Sequence, residues 1–402
     1  MNTLNNGTLF LFTAQYPYGT GETFIETELE VLAARFSGIL IFPLHAKGEA
    51  RMIPENASIV NWTADYHYNG RATLLKNIPL FLKIILQEKN IGQRFGVTRS
   101  LLLQNIARAE AVKKHIPKLQ SGNAVFYSYW FDDWATILGI LKAKGEIKSF
   151  VSRAHGFDLY DERRNDGIIP LRNFQMKTVS AVFPVSRFGK EYLTKKIPNA
   201  ANKIQLSYLG VVDRGVNPFQ KEEGLTIVSC SNLIPLKRIH LLIAILSNVK
   251  INIRWIHFGD GPLRAELEEQ AKALPANIAV TFKGQTANDA IIRFYKEHTV
   301  NLFINTSETE GIPVTIQEAT SFGIPVIAPN VGGIPEIVNN KTGTLIPADF
   351  NVMEVAELIN RFENSPMNTA EFRAGCREFW KHTFDANTNY PLFFKQLTKD
   401  RT

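Results

Sequence analysis

Short, nearly continuous apolar runs alternate with helical stretches along the chain, and this rhythm restricts the fold more than any other feature. The runs at residues 9–14, 226–230 and 301–305 are mostly apolar rather than alternating with polar positions. Such runs are typical of strands buried on both faces of a parallel sheet. Helical patterns at residues 264–274 and 287–298 lie between further runs. The alternation predicts an α/β fold with doubly wound sheets.

The predicted strands fall into two groups, one on each side of a glycine-containing stretch without apolar periodicity, residues 209–224. A chain of 402 residues is long enough for two ordinary α/β domains. We therefore expect an N-terminal domain at residues 1–210, a linker at 211–224, a C-terminal domain at 225–380, and a C-terminal helix at 381–402 that packs back on the first domain. The predicted strands are residues 9–14, 38–42, 57–62, 124–129, 149–153, 181–185, 204–208, 226–230, 253–258, 279–283, 301–305, 325–328 and 344–346.

The composition is that of a soluble globular enzyme, with 45% hydrophobic and 21% charged residues. The two cysteines, Cys230 and Cys376, are far apart and show neither metal-ligand nor disulfide spacing. The first residues lack the basic and apolar regions of a signal peptide, and no apolar stretch approaches the ~18 residues of a membrane span. These features predict a cytoplasmic protein.

Positive charge is concentrated in residues 71–118, where ten Lys and Arg residues stand against Glu88 and Glu110. Basic residues interleaved with Leu, Ile and Phe are typical of a surface for anionic lipid or another polyanion, which would place the protein peripherally on the inner face of the plasma membrane. An ordinary pair of amphipathic helices with a basic solvent face is the alternative. We do not expect nucleic-acid binding, because aromatic residues are scarce there and no RNA-binding motif is present.

The most informative segment is residues 303–319. A strand ends near Asn305 and a polar loop follows. Pro313 is expected in the first turn of the next helix, where its missing N–H costs nothing. The free N–H groups around Gly311 and Ile312 then form a natural seat for a phosphate.

Two glutamates frame the start of this predicted helix. Glu310 lies on the loop, where it can reach a sugar hydroxyl, and Glu318 lies more than a turn inside the helix, where it can accept both vicinal hydroxyls of a ribose. Two further segments follow Glu318 in the chain, residues 319–328 and 331–338, and both contain glycine and proline. The whole arrangement resembles the signature of family-4 retaining glycosyltransferases with the GT-B fold. The alternative leaves Glu310 in a solvated loop and Glu318 on a helix surface.

The resemblance implies two facing Rossmann-like domains with a cleft between them, and donor binding by the second domain. It extends upstream to residues 232–238. In the family an Arg and a Lys here hold the donor diphosphate, and Lys237 matches the Lys. Asn232 stands at the usual Arg position, and Arg238, which replaces a usual Gly, is the candidate substitute cation. The alternative is that both cations face solvent, although positive charge is disfavoured at a helix N-terminus unless an anion is present.

Residues 258–262 also match the family. Gly259 and the adjacent Asp260 follow a strand, and glycine there permits either a close approach to a ligand or a plain tight turn. Lys283 lies where such enzymes hold the nucleobase.

In the first half, residues 16–24 form a glycine-containing loop between a strand and a helix, which offers N–H groups to a diphosphate. The loop resembles the first loop of enzymes that build bacterial surface polysaccharides. We expect Gly21 to let the loop approach the donor and Glu22 to contact the acceptor.

His155 follows another predicted strand, within residues 152–158. A lone histidine is more often structural, but the resemblance implies that His155 contacts the transferred sugar. Asp158 and Arg153 either orient His155 or bind the acceptor, and the sequence does not decide between these roles.

The resemblance implies a retaining enzyme, and we expect it to need neither a metal nor a cofactor. It would move a hexose-type sugar from a UDP- or GDP-sugar to a glycan or lipid-linked glycan in bacterial polysaccharide biosynthesis, for example of a capsule. The sequence has no DxD motif at a predicted strand end, and such a motif would have suggested a metal site. The alternatives are a UDP-sugar epimerase or a glycan phosphorylase of the same architecture, and a non-catalytic nucleotide-sugar-binding protein.

Overall fold

The computed structural model describes residues 5–19, 21–88, 92–116, 124–164, 167–220 and 223–399. The chain divides into two compact units. Unit 1 comprises Met1–Tyr208 and Tyr390–Thr402, and unit 2 comprises Leu209–Asn389. Each unit contains one six-stranded parallel sheet.

Unit 1 is built on the strands β1 (Asn5–Thr13), β2 (Phe36–Pro43), β3 (Ala57–Ile59), β4 (Ala124–Ser128), β5 (Val151–Ala154) and β6 (Ala181–Pro184). Its helices are α1 (Ile25–Ala33), α2 (Gly70–Lys76), α3 (Ile78–Ile85), α4 (Phe95–Lys113), α5 (Asp133–Ala143), α6 (Arg172–Thr178) and α7 (Arg187–Lys196).

Unit 2 is built on the strands β7 (Leu225–Cys230), β8 (Ile253–Phe258), β9 (Ile278–Phe282), β10 (Leu302–Ile304), β11 (Val326–Pro329) and β12 (Gly343–Ile346). Its helices are α8 (Ile239–Leu246), α9 (Arg264–Ala271), α10 (Asn288–Glu297), α11 (Val314–Ser321), α12 (Val352–Asn360) and α13 (Ala370–Phe384), and α14 (Ala386–Thr398) runs from unit 2 into unit 1. Short 3₁₀ helices include Pro235–Lys237 and Ile334–Glu336.

Both sheets have the strand order of a Rossmann fold. The order in unit 1 is β3-β2-β1-β4-β5-β6, and in unit 2 it is β12-β11-β10-β7-β8-β9. When the strands of each unit are numbered from its first strand, and the sheet of unit 2 is read from β9, both orders are 3-2-1-4-5-6. This is the doubly wound order, in which ligands bind beyond the carboxyl ends of the strands. The predicted α/β class and doubly wound sheets are therefore confirmed.

Most of the apolar runs form strands whose side chains are buried whichever face of the sheet they point to. Every residue of β6 and β11 is buried, as the unbroken apolar pattern predicts. One predicted strand is wrong. Residues 204–208 lie beside β6 through a single bridge between Ile204 and Val182, since the chain leaves the sheet there to enter unit 2.

The core of unit 1 contains a buried ion pair. Arg153 on β5 is fully buried, and its Nε lies 2.9 Å from Oε2 of Glu28 on α1. The hydroxyl of Tyr127 donates to the other oxygen of Glu28 at 2.7 Å. Arg153 also donates to the carbonyl of Ser207, and its guanidinium lies 3.8 Å from the ring centre of Phe393 in α14. The C-terminal residues 390–399 thus contribute to the core of unit 1.

Removing the Glu28 charge should destabilise unit 1 strongly. Glu28→Gln preserves shape but leaves Arg153 as a buried charge without a counterion, which costs about 3–5 kcal/mol. Thermal unfolding of the purified variant measures the loss. Glu30→Gln, an exposed position on the same helix, is the matched control and should unfold with the wild type. Equal midpoints for the two variants would contradict this account of the core.

Candidate functional site

The loop that carries the two predicted glutamates joins β10 to α11 in unit 2. Pro313 is the residue that precedes the helix, with an extended backbone (φ −73°, ψ 115°), and the helix begins at Val314. The prediction that Pro313 lies in the first turn was wrong by one position. Gly311 and Ile312 are buried just before the helix. Glu310 is only 8% exposed, so the alternative of a solvated loop residue does not hold.

Glu310 is paired with Lys237. The Lys237 ammonium donates to Oε1 of Glu310 at 2.5 Å, and the Ser307 hydroxyl donates to the same oxygen at 2.6 Å. Lys237 follows β7 and Glu310 follows β10, and these strands are neighbours in the sheet. The structure therefore brings together, at the carboxyl edge, two residues that are far apart in the sequence.

Glu318 lies inside α11 and is also only 8% exposed. The side-chain amide of Asn288 on α10 donates to its Oε1 at 2.6 Å. Burial raises the pKa of Glu318 to about 7, and the hydrogen bond from Asn288 opposes this shift. A further hydrogen-bond donor would stabilise the ionised form of this buried carboxylate.

Arg238 is engaged with backbone carbonyl groups. Its backbone is left-handed (φ 48°). The guanidinium donates to the carbonyls of Thr306 at 2.8 Å, Ser307 at 3.2 Å and Ala348 at 3.1 Å. In return, the Thr306 hydroxyl donates to the carbonyl of Lys237 at 2.9 Å. These bonds tie the loop after β7 to the loop that leads to Glu310.

Glycines are required where these loops touch other loops. Gly332 has φ +54°, and a Cβ there would lie 1.9 Å from the carbonyl oxygen of Glu310. Gly259 has φ +131°, and a Cβ there would lie 1.9 Å from the carbonyl oxygen of Ser231. The close approach that the sequence predicts at Gly259 is therefore made by the chain itself.

The remaining predicted residues of unit 2 have different surroundings. The Asp260 carboxylate accepts the Gly261 amide at 2.7 Å and Arg264 at 2.8 Å, and these bonds hold the pKa of Asp260 below its usual value. The side chain of Lys283 is exposed, while its amide donates to the carbonyl of His257.

A buried polar chain beneath the site was not predicted. Trp255 donates its indole N–H to the Ser229 hydroxyl at 2.9 Å. That hydroxyl lies 2.8 Å from Nδ1 of His257, whose Nε2 lies 3.1 Å from the carbonyl of Ser231. Burial lowers the pKa of His257 to about 4, so the ring is neutral at pH 7. Its Nε2–H therefore donates to Ser231 while Nδ1 accepts from Ser229. In the sequence, the serine and the histidine within two mostly apolar runs could have indicated this buried polar chain.

In unit 1 the predicted anion-binding loop is occupied by its own Glu22. Glu22 has φ +56°, and its carboxylate accepts the amides of Ala14, Gln15 and Tyr16 at 3.1, 2.6 and 2.6 Å. It also accepts the indole N–H of Trp130 at 2.5 Å. The expectation that Glu22 contacts an acceptor conflicts with this geometry, because the carboxylate already has four donors.

Gly21, in the same loop, is exposed, and a Cβ there would meet nothing within 4 Å. Its carbonyl accepts from Arg51 at 2.6 Å. Thr20, in the middle of the predicted loop, lies outside the described residues. Glycine is therefore not required at position 21 by the rest of the chain.

His155 is 8% exposed and lies among aromatic rings. The ring centres of Trp130, Tyr129 and Phe24 are 4.5, 4.9 and 5.7 Å from the imidazole. Among the described residues, neither imidazole nitrogen has a hydrogen-bond partner, and the nearest carboxylate oxygen is 3.7 Å away on Asp158. A buried imidazole without a partner in the protein leaves its donor and acceptor positions for water or a ligand to satisfy.

Asp158 orients the loop around His155. Its Oδ1 accepts the amides of His155 and Gly156, and its Oδ2 accepts the amide of Phe131, all at 2.9 Å. Burial raises the pKa of Asp158, but the neighbouring imidazole and these amides outweigh burial and hold it below its usual value. Full burial of both Asp158 and Arg153 contradicts acceptor binding by either residue, and Arg153 is engaged with Glu28.

Among the described residues there is no cluster of three or more His, Cys, Asp or Glu side chains that could hold a metal ion. Within the same part of the chain, no helix combines the length and apolarity needed to cross a membrane.

Comparisons with known proteins identify a family model and several similar chains. Residues 215–381 match the family model of glycosyl transferases group 1. The chain is 29% identical to protein CapJ of Staphylococcus aureus over 319 residues, which cover 76% of this chain and 72% of CapJ. It is 27% identical to the sulfoquinovosyl transferase SQD2 of Arabidopsis thaliana over 194 residues, or 44% of this chain, but only 36% of that protein. The matched region thus spans about a third of SQD2.

Solved structures match over nearly the whole chain. Anabaena Alr3699/HepE in complex with UDP and glucose has a TM-score of 0.66 at 17% identity, over 97% of this chain and 99% of that one. Sucrose-phosphate synthase from Thermosynechococcus elongatus has a TM-score of 0.72 at 16% identity, over 98% and 99%. The fold is that of the GT-B glycosyltransferases. The chain carries a glycosyl transferases group 1 domain, and the family resemblance of residues 303–338 is confirmed.

The contact between Gly332 and Glu310 gives a test of the site's construction. Gly332→Ala introduces a Cβ into the carbonyl of Glu310 at a positive φ, and it should lower the free energy of unfolding by more than about 1 kcal/mol. Gly375→Ala is the matched control, because that glycine lies in α13 with open space around it. The control should leave stability unchanged or raise it. Chemical denaturation measures both, and an unaffected Gly332→Ala variant would show that the loops are not held this tightly.

Proposed function

We propose that the protein is a glycosyltransferase that takes its sugar from a nucleotide-sugar donor bound by unit 2. The observation that carries the proposal is the pairing of Lys237 with Glu310 at the carboxyl edge of the sheet, beside the start of α11 and the buried Glu318. These groups suit the three parts of such a donor: a diphosphate, a sugar and a ribose. The UDP and glucose bound by the similar Anabaena protein support this choice of ligand.

Lys237 is assigned to the diphosphate. An ammonium has three donors, so Lys237 can keep its bond to Glu310 while donating to a phosphate oxygen. Departure of the nucleoside diphosphate places negative charge on those oxygens. A fixed cation and the N–H groups at the start of α11, preceded by Gly311, Ile312 and Pro313, would stabilise that charge. Glu310 would accept a hydroxyl of the donor sugar.

Arg238 is assigned a positioning role. Its donors bind the carbonyls of Thr306, Ser307 and Ala348, so its charge acts near the phosphates without direct contact. We infer that Arg238 sets the position of the loop that leads to Glu310. A lysine at this position would lack the planar guanidinium that donates to all three carbonyls.

His155, a residue of unit 1, is assigned to the transferred sugar on the basis of the family resemblance. Its two unpartnered nitrogens can donate to one hydroxyl and accept from another. Asp158 holds the His155 loop, and Glu22 fixes the Trp130 ring beside it. Lys283 remains a candidate for contact with the nucleobase, and Gly21 for the approach of the first loop to the donor.

The finer parts of the proposal rest on family resemblance. We propose that transfer retains the anomeric configuration, needs no metal, and involves a hexose-type sugar from UDP or GDP. A glycan or lipid-linked glycan of bacterial polysaccharide biosynthesis is the proposed acceptor, and the similarity to CapJ supports this choice.

Nucleotide binding should depend on Glu318. UDP or GDP at about 100 times its dissociation constant stabilises the native state by ~2.7 kcal/mol. We expect one of the two to raise the unfolding temperature, and Glu318→Gln to remove most of that shift because the ribose hydroxyls lose a charged acceptor. Glu297→Gln, at an exposed position of α10, is the control. A wild-type protein that responds to neither nucleotide would exclude the proposed donor site.

The pH dependence of binding provides a second test. Ribose hydroxyls favour the ionised Glu318, so binding competes with its protonation, and affinity should fall as the pH drops below about 7. The loss from pH 8 to pH 6 should be about tenfold. UDP itself titrates in this range, and Glu318→Gln reports that contribution alone. Calorimetry at several pH values measures both, and identical slopes for wild type and variant would assign the ribose to another residue.

Product analysis separates transfer from its alternatives. A transferase releases free nucleoside diphosphate from UDP- or GDP-sugar when an acceptor glycan is added, and the release should continue in EDTA if no metal takes part. An epimerase interconverts the sugar without acceptor, and a binding protein changes nothing. The anomeric configuration of the product, read by NMR, tests retention.

A further inference from the structure

Helix α3 carries apolar side chains on two faces. Its inner face packs on the core of unit 1 through Phe81 and Ile84, which are 6% and 0% exposed. Its outer face presents Ile78 and Leu82, which are 42% and 50% exposed, and the C-cap residue Leu86, which is 82% exposed. Residues four positions apart lie one above another on a helix, so these three side chains form one stripe.

Further exposed apolar side chains lie close to the stripe in the sequence. Leu75, just before α3, is 71% exposed, and Phe95 and Val97 at the start of α4 are 44% and 64% exposed. Exposed apolar side chains are normally scattered singly over a soluble protein, and a concentration of them marks an interaction site. We call the exposed side chains of residues 71–88 and 92–99 the outer surface of α2–α4.

The charges on the outer surface of α2–α4 are positive. Arg71, Lys76, Lys83 and Arg99 are exposed. Glu88 is the one acidic residue of the stretch, and its carboxylate turns inward to accept the amide of Phe174 at 2.8 Å. Lys89 lies outside the described residues.

The rest of the basic segment predicted from sequence is engaged within the protein. Arg108 pairs with Asp133 at 3.0 Å, and Lys114 pairs with Asp65 at 2.8 Å. Lys113 pairs with Glu146. The middle of α4 is buried in the core of unit 1. Lys118 lies outside the described residues. Among the described residues of this segment, the available basic surface therefore lies within 71–88 and 92–99.

We propose that the outer surface of α2–α4 docks onto a bilayer of anionic lipid. The leucine and isoleucine side chains would enter the boundary between headgroups and acyl chains, and the basic side chains would reach the lipid phosphates. A second copy of the chain suits the surface less well, because a symmetric contact would set these cations against each other. The proposal does not depend on the transferase activity.

Vesicle flotation tests the proposal with the full-length protein. Binding to phosphatidylcholine vesicles containing phosphatidylglycerol should exceed binding to pure phosphatidylcholine at least tenfold, and it should weaken in high salt. Leu82→Ser with Leu86→Ser should reduce binding to the anionic vesicles at least tenfold. The matched control is Met353→Ser with Leu358→Ser, which removes two exposed apolar side chains from α12 in unit 2.

Charge reversal tests the electrostatic part. Lys76→Glu with Lys83→Glu should abolish the preference for anionic vesicles, whereas Lys190→Glu with Lys195→Glu on α7 should retain it. Unchanged unfolding temperatures would show that all variants fold. Equal binding to neutral and anionic vesicles, or full binding by the leucine variant, would overturn the proposal. Dimerisation without vesicles that the leucine variant abolishes would assign the surface to a second copy instead.

Discussion

The candidate donor site depends on how closely the loops after neighbouring strands of unit 2 are held together. Lys237 and Glu310 lie on different loops, and hydrogen bonds to backbone groups hold these loops where the two side chains meet at 2.5 Å. Arg238 binds carbonyls of the Glu310 loop, and Gly332 leaves room for the carbonyl of Glu310 itself. The ionic groups thus sit on a frame of backbone hydrogen bonds and close contacts. Such a frame holds charges in place before a ligand arrives, which lowers the cost of organising them during a reaction.

The loop that follows the first strand of the sheet differs between the two units. In unit 1 the amides after β1 are occupied by the Glu22 carboxylate, so the protein supplies its own anion there. In unit 2 the loop after β7 carries Lys237, a cation on the partly open carboxyl edge. The two sheets share a strand order, but the loop after β7 carries a cation, Lys237, which is paired with Glu310. Strand order alone therefore does not assign the function of either loop.

The sequence predicted residue types better than side-chain directions. Glu310 and Glu318 were identifiable because both lie in one continuous segment whose spacing has a chemical meaning. Glu22 and Arg238 were assigned to ligands, yet the structure engages both with the protein's own backbone. Each has a left-handed backbone conformation, with φ of 56° and 48°. Residues with a Cβ rarely adopt this conformation, and no local pattern predicts it. The chain through His257 was missed for another reason, since its partners come from two strands that only the folded sheet brings together.

Helix α14 gives unit 1 an unusual dependence on the order of synthesis. Phe393 covers the Arg153 guanidinium at 3.8 Å, and residues 390–399 belong to unit 1 although nearly all of unit 2 is made before them. A chain emerging from the ribosome therefore has the strands of unit 1 long before it has the aromatic ring that closes this core. Unit 2 has the opposite situation, because Leu209–Asn389 is one continuous stretch and can fold as soon as it emerges. The unit that begins first during translation is thus the one that is completed last.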